Sequence, residues 1–284
     1  MAQIMLGKEV NASLNERIRA KAEAMKAEGI FPTLGIIRVG ERGDDIAYEK
    51  GAMKRCSTLG VEVKQFLLPA DVTQEKLMET IEQVNRDASI HGVLMFRPLP
   101  DHLDEEAACA ALDPEKDVDG ITSGSMAGVF VGHEKGFPPC TPEACMEILD
   151  HYGIDSQGKR AVVIGRSLVV GKPAAMMLLQ KNATVTVCHT KTVDMAAICR
   201  EADILIVAAG QPDMVTKEYL KPGQVIIDVG INVDAEGKLC GDVDFAQAEP
   251  VAAAITPVPG GVGTVTTSVL VGHVVEAAAR QTGK

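Results

Sequence analysis

The 284-residue chain has no tryptophan, three tyrosines and six phenylalanines, so aromatic residues make up only 3% of it. Proteins that hold single-stranded nucleic acid stack bases on aromatic rings, and that mode has little to work with here. Cations are also short: 28 Lys and Arg against 39 Asp and Glu leave a net charge of −11. A surface for phosphate backbones needs clustered cations, so the expected partner is a small molecule and not a nucleic acid. The seven cysteines form no CxxC pair and no Cys/His array at zinc spacing, which fits reduced thiols in a cytoplasmic protein with no metal. No basic-then-apolar leader is found, and the longest strongly apolar run, around Ile204 to Ala209, is far below the roughly 18 residues of a membrane span.

What the chain does have is the stretch AVVIGRSLVVGKP from Ala161 to Pro173. It opens as a buried strand, breaks at Gly165 and Gly171, and places Pro173 where a helix can begin. A strand, a tight turn and a helix N-terminus present backbone N–H groups to an anion such as a pyrophosphate. The glycine spacing departs from the usual dinucleotide fingerprint, and a βα turn without a ligand has the same outline. The next strand, Ala183 to Cys188, ends in His189, Thr190 and Lys191. An acid at that strand end would bind the ribose 2′-OH of NAD. With Thr190 and Lys191 there instead, and Arg166 nearby, NADP is favoured, with NAD possible.

Before this stretch the pattern alternates. A helix over Val10–Glu28 leads to strand Thr33–Val39, helix Asp45–Leu59, strand Val61–Leu68, helix Gln74–Arg86 and strand Gly92–Phe96. Alternation of this kind specifies a parallel sheet with crossover helices. The acidic stretch from Arg97 to Ile121 reads as a solvated loop, and the glycine-rich segment Gly124–Pro139 as the domain junction. After the organising stretch come a helix over Asp194–Glu201, strands Asp203–Ala208 and Gln224–Val229, and a pair near Lys238–Val243 and Ala253–Ile255 expected to complete the sheet. A helix from about Thr264 closes the chain. The fold expected is α/β in two domains: 1–138 plus 266–284, with a mainly parallel sheet, and 139–265, a Rossmann-like NAD(P)-binding domain. The C-terminal helix returns to the first domain.

With these pieces in place the sequence resembles the methylenetetrahydrofolate dehydrogenase/methenyltetrahydrofolate cyclohydrolase family. Matching stretches run through nearly the whole chain: Tyr48, RPLP at 97–100, KDVDG at 116–120, PCTP at 139–142, GRSLVVGKP at 165–173, DVGIN at 228–232, GDVDF at 241–245 and TPVPGGVG at 256–263. The resemblance implies a homodimer and two domains facing each other across a cleft that holds tetrahydrofolate derivatives. It implies oxidation of 5,10-methylenetetrahydrofolate to the 5,10-methenyl cation with NADP, then hydrolysis to 10-formyltetrahydrofolate in bifunctional members. Tyr48 and Asp119 would be catalytic and substrate-binding, and Pro259, Gly260 and Gly261 would approach the ligand through backbone. Gly165, Arg166, Ser167, Thr190 and Ile231 would bind the cofactor; Lys191 is added on charge alone.

The chain also departs from the pattern. Bifunctional members carry a Lys four residues after this Tyr, where Ala52 stands, and a supporting Gln where Phe96 stands; Thr264 replaces a usual Pro. Lys50 and Lys54 each lie two residues from Ala52, about 160° away on a regular helix. The expectation is a dehydrogenase with weak or absent cyclohydrolase activity. Three alternatives stay open: a fully bifunctional enzyme, a folate- or nucleotide-binding protein without catalysis, and an unrelated two-domain NADP dehydrogenase acting on a small hydroxy or amino acid.

Overall fold

A computed structural model describes residues 2–132, 135–234 and 236–284. The chain divides into two compact units: Ser13–Cys140 with Thr267–Lys284, and Met1–Ala12 with Thr141–Thr266. It begins with a two-residue strand, β1 (Gln3–Ile4), whose partner comes some 250 residues later.

The first unit is built on a parallel sheet of β2 (Thr33–Val39), β3 (Glu62–Leu68) and β4 (Gly92–Met95), in the order β3-β2-β4. TLGIIRV is apolar almost throughout because β2 is buried along its whole length, as a central parallel strand is. Its one charged residue, Arg38, is buried and paired with Glu49 of helix Gly43–Leu59 at 2.6 Å. Helix Gln74–Arg86 buries Leu77, Ile81 and Val84 at the i, i+4, i+7 spacing of one face, beside Ile37, Val93 and Met95. Two helices correct the sequence reading. Glu105–Ala111 forms within the acidic stretch, capped by Asp104 at the Ala107 N–H (2.9 Å), and Ser123–Val131 forms within the glycine-rich segment, capped by Thr122 at the Ser125 N–H (3.0 Å).

The second unit carries a six-stranded parallel sheet: β1 with β5 (Arg160–Ile164), β6 (Thr184–Cys188), β7 (Ile204–Val207), β8 (Val225–Asp228) and β11 (Ala254–Ile255), ordered β1-β11-β8-β7-β5-β6. A separate antiparallel pair joins β9 (Asn232–Val233) to β10 (Leu239–Cys240), so the segment near Lys238 forms a hairpin and does not extend the sheet. The strand order reverses beside β5, whose neighbours are β6 and β7. This is the doubly wound arrangement, with its crevice beyond the strand C-termini.

Residues 1–12 differ from the division expected from sequence. β1 pairs with β11, Met5 N–H donates to Ile255 O at 2.9 Å, and Gly7 N–H donates to Gly260 O at 2.9 Å, which ties the segment to the second unit. The closing helix, Val262–Thr282, is long and apolar enough to cross a membrane, yet 67% of its most apolar stretch is buried within the protein. From Thr267 it belongs to the first unit.

Candidate active site

In the first unit, Tyr48 lies on the uninterrupted helix Gly43–Leu59 and is 38% exposed. Its ring meets Phe96, at the end of β4, edge to face with centroids 5.9 Å apart. Ala52, one turn on, is fully buried, while Lys50 and Lys54 are exposed. Asp45 is also buried, seven residues before Ala52 and therefore on the same helix face, and burial pushes its carboxyl up from the usual range. The Arg42 guanidinium lies 3.7 Å from Asp45 and donates to Pro98 O at 3.3 Å, linking the start of the Tyr48 helix to the RPLP turn. Glu49 accepts from Arg38 and also from Gln65, so the turn carrying Tyr48 is anchored to β2 and β3 from beneath. Sequence reading missed this charged set, because the pairs join residues on different elements and Asp45 sits in a run that looks like an exposed first turn.

The KDVDG segment resolves into separate tasks. Lys116 Nζ donates to Val84 O (3.0 Å) and Asp87 O (2.8 Å), satisfying carbonyls at the end of helix Gln74–Arg86. Asp117 accepts from Ile121 N–H (3.0 Å) and Thr122 N–H (2.7 Å), closing the turn around Asp119. Val118 O receives the Cys140 thiol at 3.4 Å and His273 Nδ1 at 2.9 Å. Asp119 itself keeps partial solvent access. Burial pushes its carboxyl up to about 6, against the opposing pull of the Cys140 thiol, Arg97 and the Cys140 N–H. His273 is driven the other way, down to about 4, chiefly by burial. Glu105 holds the RPLP turn by accepting from Leu99 N–H at 2.8 Å and lying 3.5 Å from Arg97.

In the second unit, Gly165 ends β5 with φ +127°, and a Cβ there would collide with Ala208 O at the end of β7. Only glycine satisfies both demands. Arg166 and Ser167 follow, both exposed; Ser167 Oγ accepts from Val170 N–H at 3.1 Å and shapes the turn into helix Gly171–Gln180. Thr190 and Lys191 are exposed in the turn after β6, where Lys191 N–H donates to His189 Nδ1 at 3.1 Å. These five residues share the C-terminal edge of neighbouring strands. Ile231, 68% exposed, lies instead after β8, in a cavity of about 250 Å³ that also includes Pro259, Gly260 and Gly261. The exposed cations, hydroxyls and tight turn suit an anionic dinucleotide, and the largely apolar cavity suits a flat ring at its other end. Among the described residues no group of three or more His, Cys, Asp or Glu could hold a metal ion.

Comparison with known proteins bears on both units. Residues 5–119 match the family described as "Tetrahydrofolate dehydrogenase/cyclohydrolase, catalytic domain", and residues 139–282 match its "NAD(P)-binding domain". The bifunctional protein FolD of Carboxydothermus hydrogenoformans is 52% identical over 279 residues, covering 98% of this chain and 97% of its own. The crystal structure of the bifunctional FolD from Campylobacter jejuni is 39% identical and covers 99% of each chain at a TM-score of 0.95. The Trypanosoma brucei methylenetetrahydrofolate dehydrogenase-cyclohydrolase, solved with NADP and an inhibitor, is 35% identical and covers 100% of this chain and 99% of its own at 0.92.

Proposed function

The chain belongs to the tetrahydrofolate dehydrogenase/cyclohydrolase family, and on that premise we propose that it oxidises 5,10-methylenetetrahydrofolate to the 5,10-methenyl cation with NADP, with the following hydrolysis weak or lost. The observation that carries the second half is the pair beside Tyr48: a fully buried Ala52 methyl and the Phe96 ring. Neither can take a proton from attacking water, a service worth about 10² to 10⁴ in rate. Lys54, the nearest alternative amine in sequence after Ala52, is exposed on an uninterrupted helix.

Bound NADP supplies the hydride acceptor. The substrate C–H bond breaks with its electron pair leaving as hydride, and the folate nitrogen lone pairs share the resulting positive charge, so the protein has chiefly to position the two reactants. Asp119, ionised above its raised value, accepts two hydrogen bonds from the amino-pyrimidinone edge of the pterin. Tyr48 offers a flat face and a hydroxyl. Pro259, Gly260 and Gly261 let backbone come close to the ligand. Gly165, Arg166 and Ser167 hold phosphate and ribose, with Arg166 on the 2′-phosphate; Thr190 and Lys191 stand at the adenosine end and Ile231 at the nicotinamide end. The working form is a homodimer, a reading supported by the exposed Val233 and Leu239 of the β9-β10 hairpin.

Mixing protein, methylenetetrahydrofolate and NADP should produce reduced cofactor. No reduction with either NADP or NAD would instead favour a non-catalytic binding protein. One observation favours full bifunctionality: Asp45, buried on the Ala52 face with its carboxyl raised, is a titratable group that could serve the water step. Under that reading Asp45→Asn abolishes 10-formyl formation and spares NADP reduction.

A further inference from the structure

Asp242, in the GDVDF segment, is fully buried and does not line the 250 Å³ cavity, yet its carboxylate receives four donors from two separate loops. Oδ2 accepts from Ala209 N–H (2.7 Å) and Gly210 N–H (3.0 Å); Oδ1 accepts from Gln211 N–H (2.8 Å) and Asn232 Nδ2 (2.8 Å). The first three follow β7, and the fourth follows Ile231. A second carboxylate interlocks with it. Asp228 accepts from Gly230 N–H at 2.9 Å, Asp242 N–H at 3.1 Å and Val243 N–H at 3.0 Å. Asp228 N–H in turn donates to Thr256 Oγ1 at 2.8 Å, the residue before the Pro257–Gly261 loop. The fit is close on both sides: a Cβ at Gly230 would strike Asp242, and a Cβ at Gly241 would strike Asp228. The loop after β7, the Gly230–Asn232 segment and the glycine loop are thus all referred to one pair of carboxylates.

We propose that Asp242 is a positioning residue for the nicotinamide end of NADP, fixing Gly230–Asn232 against the loop after β7 without touching the cofactor. This rests on the reading of the second unit as the NADP site. The chemistry calls for a carboxylate: four donors need four lone pairs, while an amide has one oxygen and turns its own N–H groups toward other donors. The adenosine end is held elsewhere, at the turns after β5 and β6, so the effect of Asp242 belongs to one half of the cofactor.

The test compares full-length wild type and Asp242→Asn for binding of NADP and of adenosine 2′,5′-bisphosphate, which has only the adenosine end. Loss of two charge-assisted hydrogen bonds should weaken NADP by about tenfold or more while leaving the fragment unchanged. A general loosening of the unit would weaken both ligands equally and overturn the proposal, as would unchanged NADP affinity in the variant. Wild type that binds neither ligand would overturn the cofactor reading itself, a distinguishable result. Should Asp242→Asn fail to fold, Asn232→Ala removes one donor and leaves the other three in place. It should weaken NADP about threefold with fragment affinity intact, and equal NADP affinity would refute the role.

Discussion

Introducing at Ala52 and Phe96 the amine and amide that bifunctional members carry tests whether their absence limits the hydrolysis. Ala52 has no solvent exposure, so Ala52→Lys alone must push three further methylenes and an ammonium into filled space; overpacking of this kind costs about 1–3 kcal/mol before the buried charge is counted. Phe96→Gln alone removes the edge-to-face contact with Tyr48, worth about 0.5–1.5 kcal/mol, and supplies a carbonyl with no cation to receive it. Together the changes remove the obstructing ring and give the ammonium an acceptor. The double variant should therefore be more stable than the two single losses added together, a coupling that a double-mutant cycle measures. Cyclohydrolase rate, followed as enzyme-dependent decay of supplied methenyltetrahydrofolate, should rise in the double variant by about 10²- to 10⁴-fold and far less in either single variant. NADP reduction should stay within about tenfold of wild type, since hydride transfer uses no proton carrier. A folded double variant without any gain would mean that Ala52 and Phe96 are not what limits the hydrolysis.

Other outcomes follow from the same geometry. Asp119 titrates at about 6, so KM for the folate should rise as pH falls through 6 and the carboxylate loses its acceptor sites; Asp119→Asn should have a high KM that no longer varies across that range. The same raised value means that ionising Asp119 opposes folding: its contribution is present below the ordinary carboxylate range and lost as pH rises through about 6, so chemical denaturation should show Asp119→Asn gaining on wild type over that window. Arg166→Gln should weaken NADP by about ten- to a hundredfold and barely change NAD, measured by titration with each. Gly165→Ala should lower thermal stability and abolish NADP binding, because the new methyl meets both a disfavoured φ and Ala208 O; unchanged binding would mean the turn relaxes freely.

The main sheets were legible in the sequence because buried parallel strands are continuous apolar runs. Thr33–Val39 appears with the expected bounds, and the strand at Ala161 with nearly those. β11 falls where the sequence places a strand near Ala253–Ile255, whereas β1 has two residues and only its pairing reveals it, so no pattern could attach residues 1–12 to the second unit. The acidic stretch hid a helix because Asp104, Glu105 and Glu106 look like solvated charge, although acids at a helix start are what the backbone dipole favours. In Ser123–Val131, glycines argue against a helix; the Thr122 cap and the burial of Ser125, Gly128 and Val129 outweigh them. At the site, Ile231 and Pro259–Gly261 are far apart in sequence and meet in one cavity, while Arg38, Glu49 and Gln65 come together only when strand pairing sets β2 beside β3 and the helix Gly43–Leu59 packs its Glu49 against both.

In the proposed function, hydride transfer persists without the hydrolysis that follows it in bifunctional relatives. Supplying methylenetetrahydrofolate and NADP and counting reduced cofactor, methenyl and 10-formyl products against an enzyme-free control tests it most directly. One methenyltetrahydrofolate is expected for each reduced cofactor, with 10-formyl product only at the buffer rate. Enzyme-dependent 10-formyl formation keeping pace with cofactor reduction would contradict it.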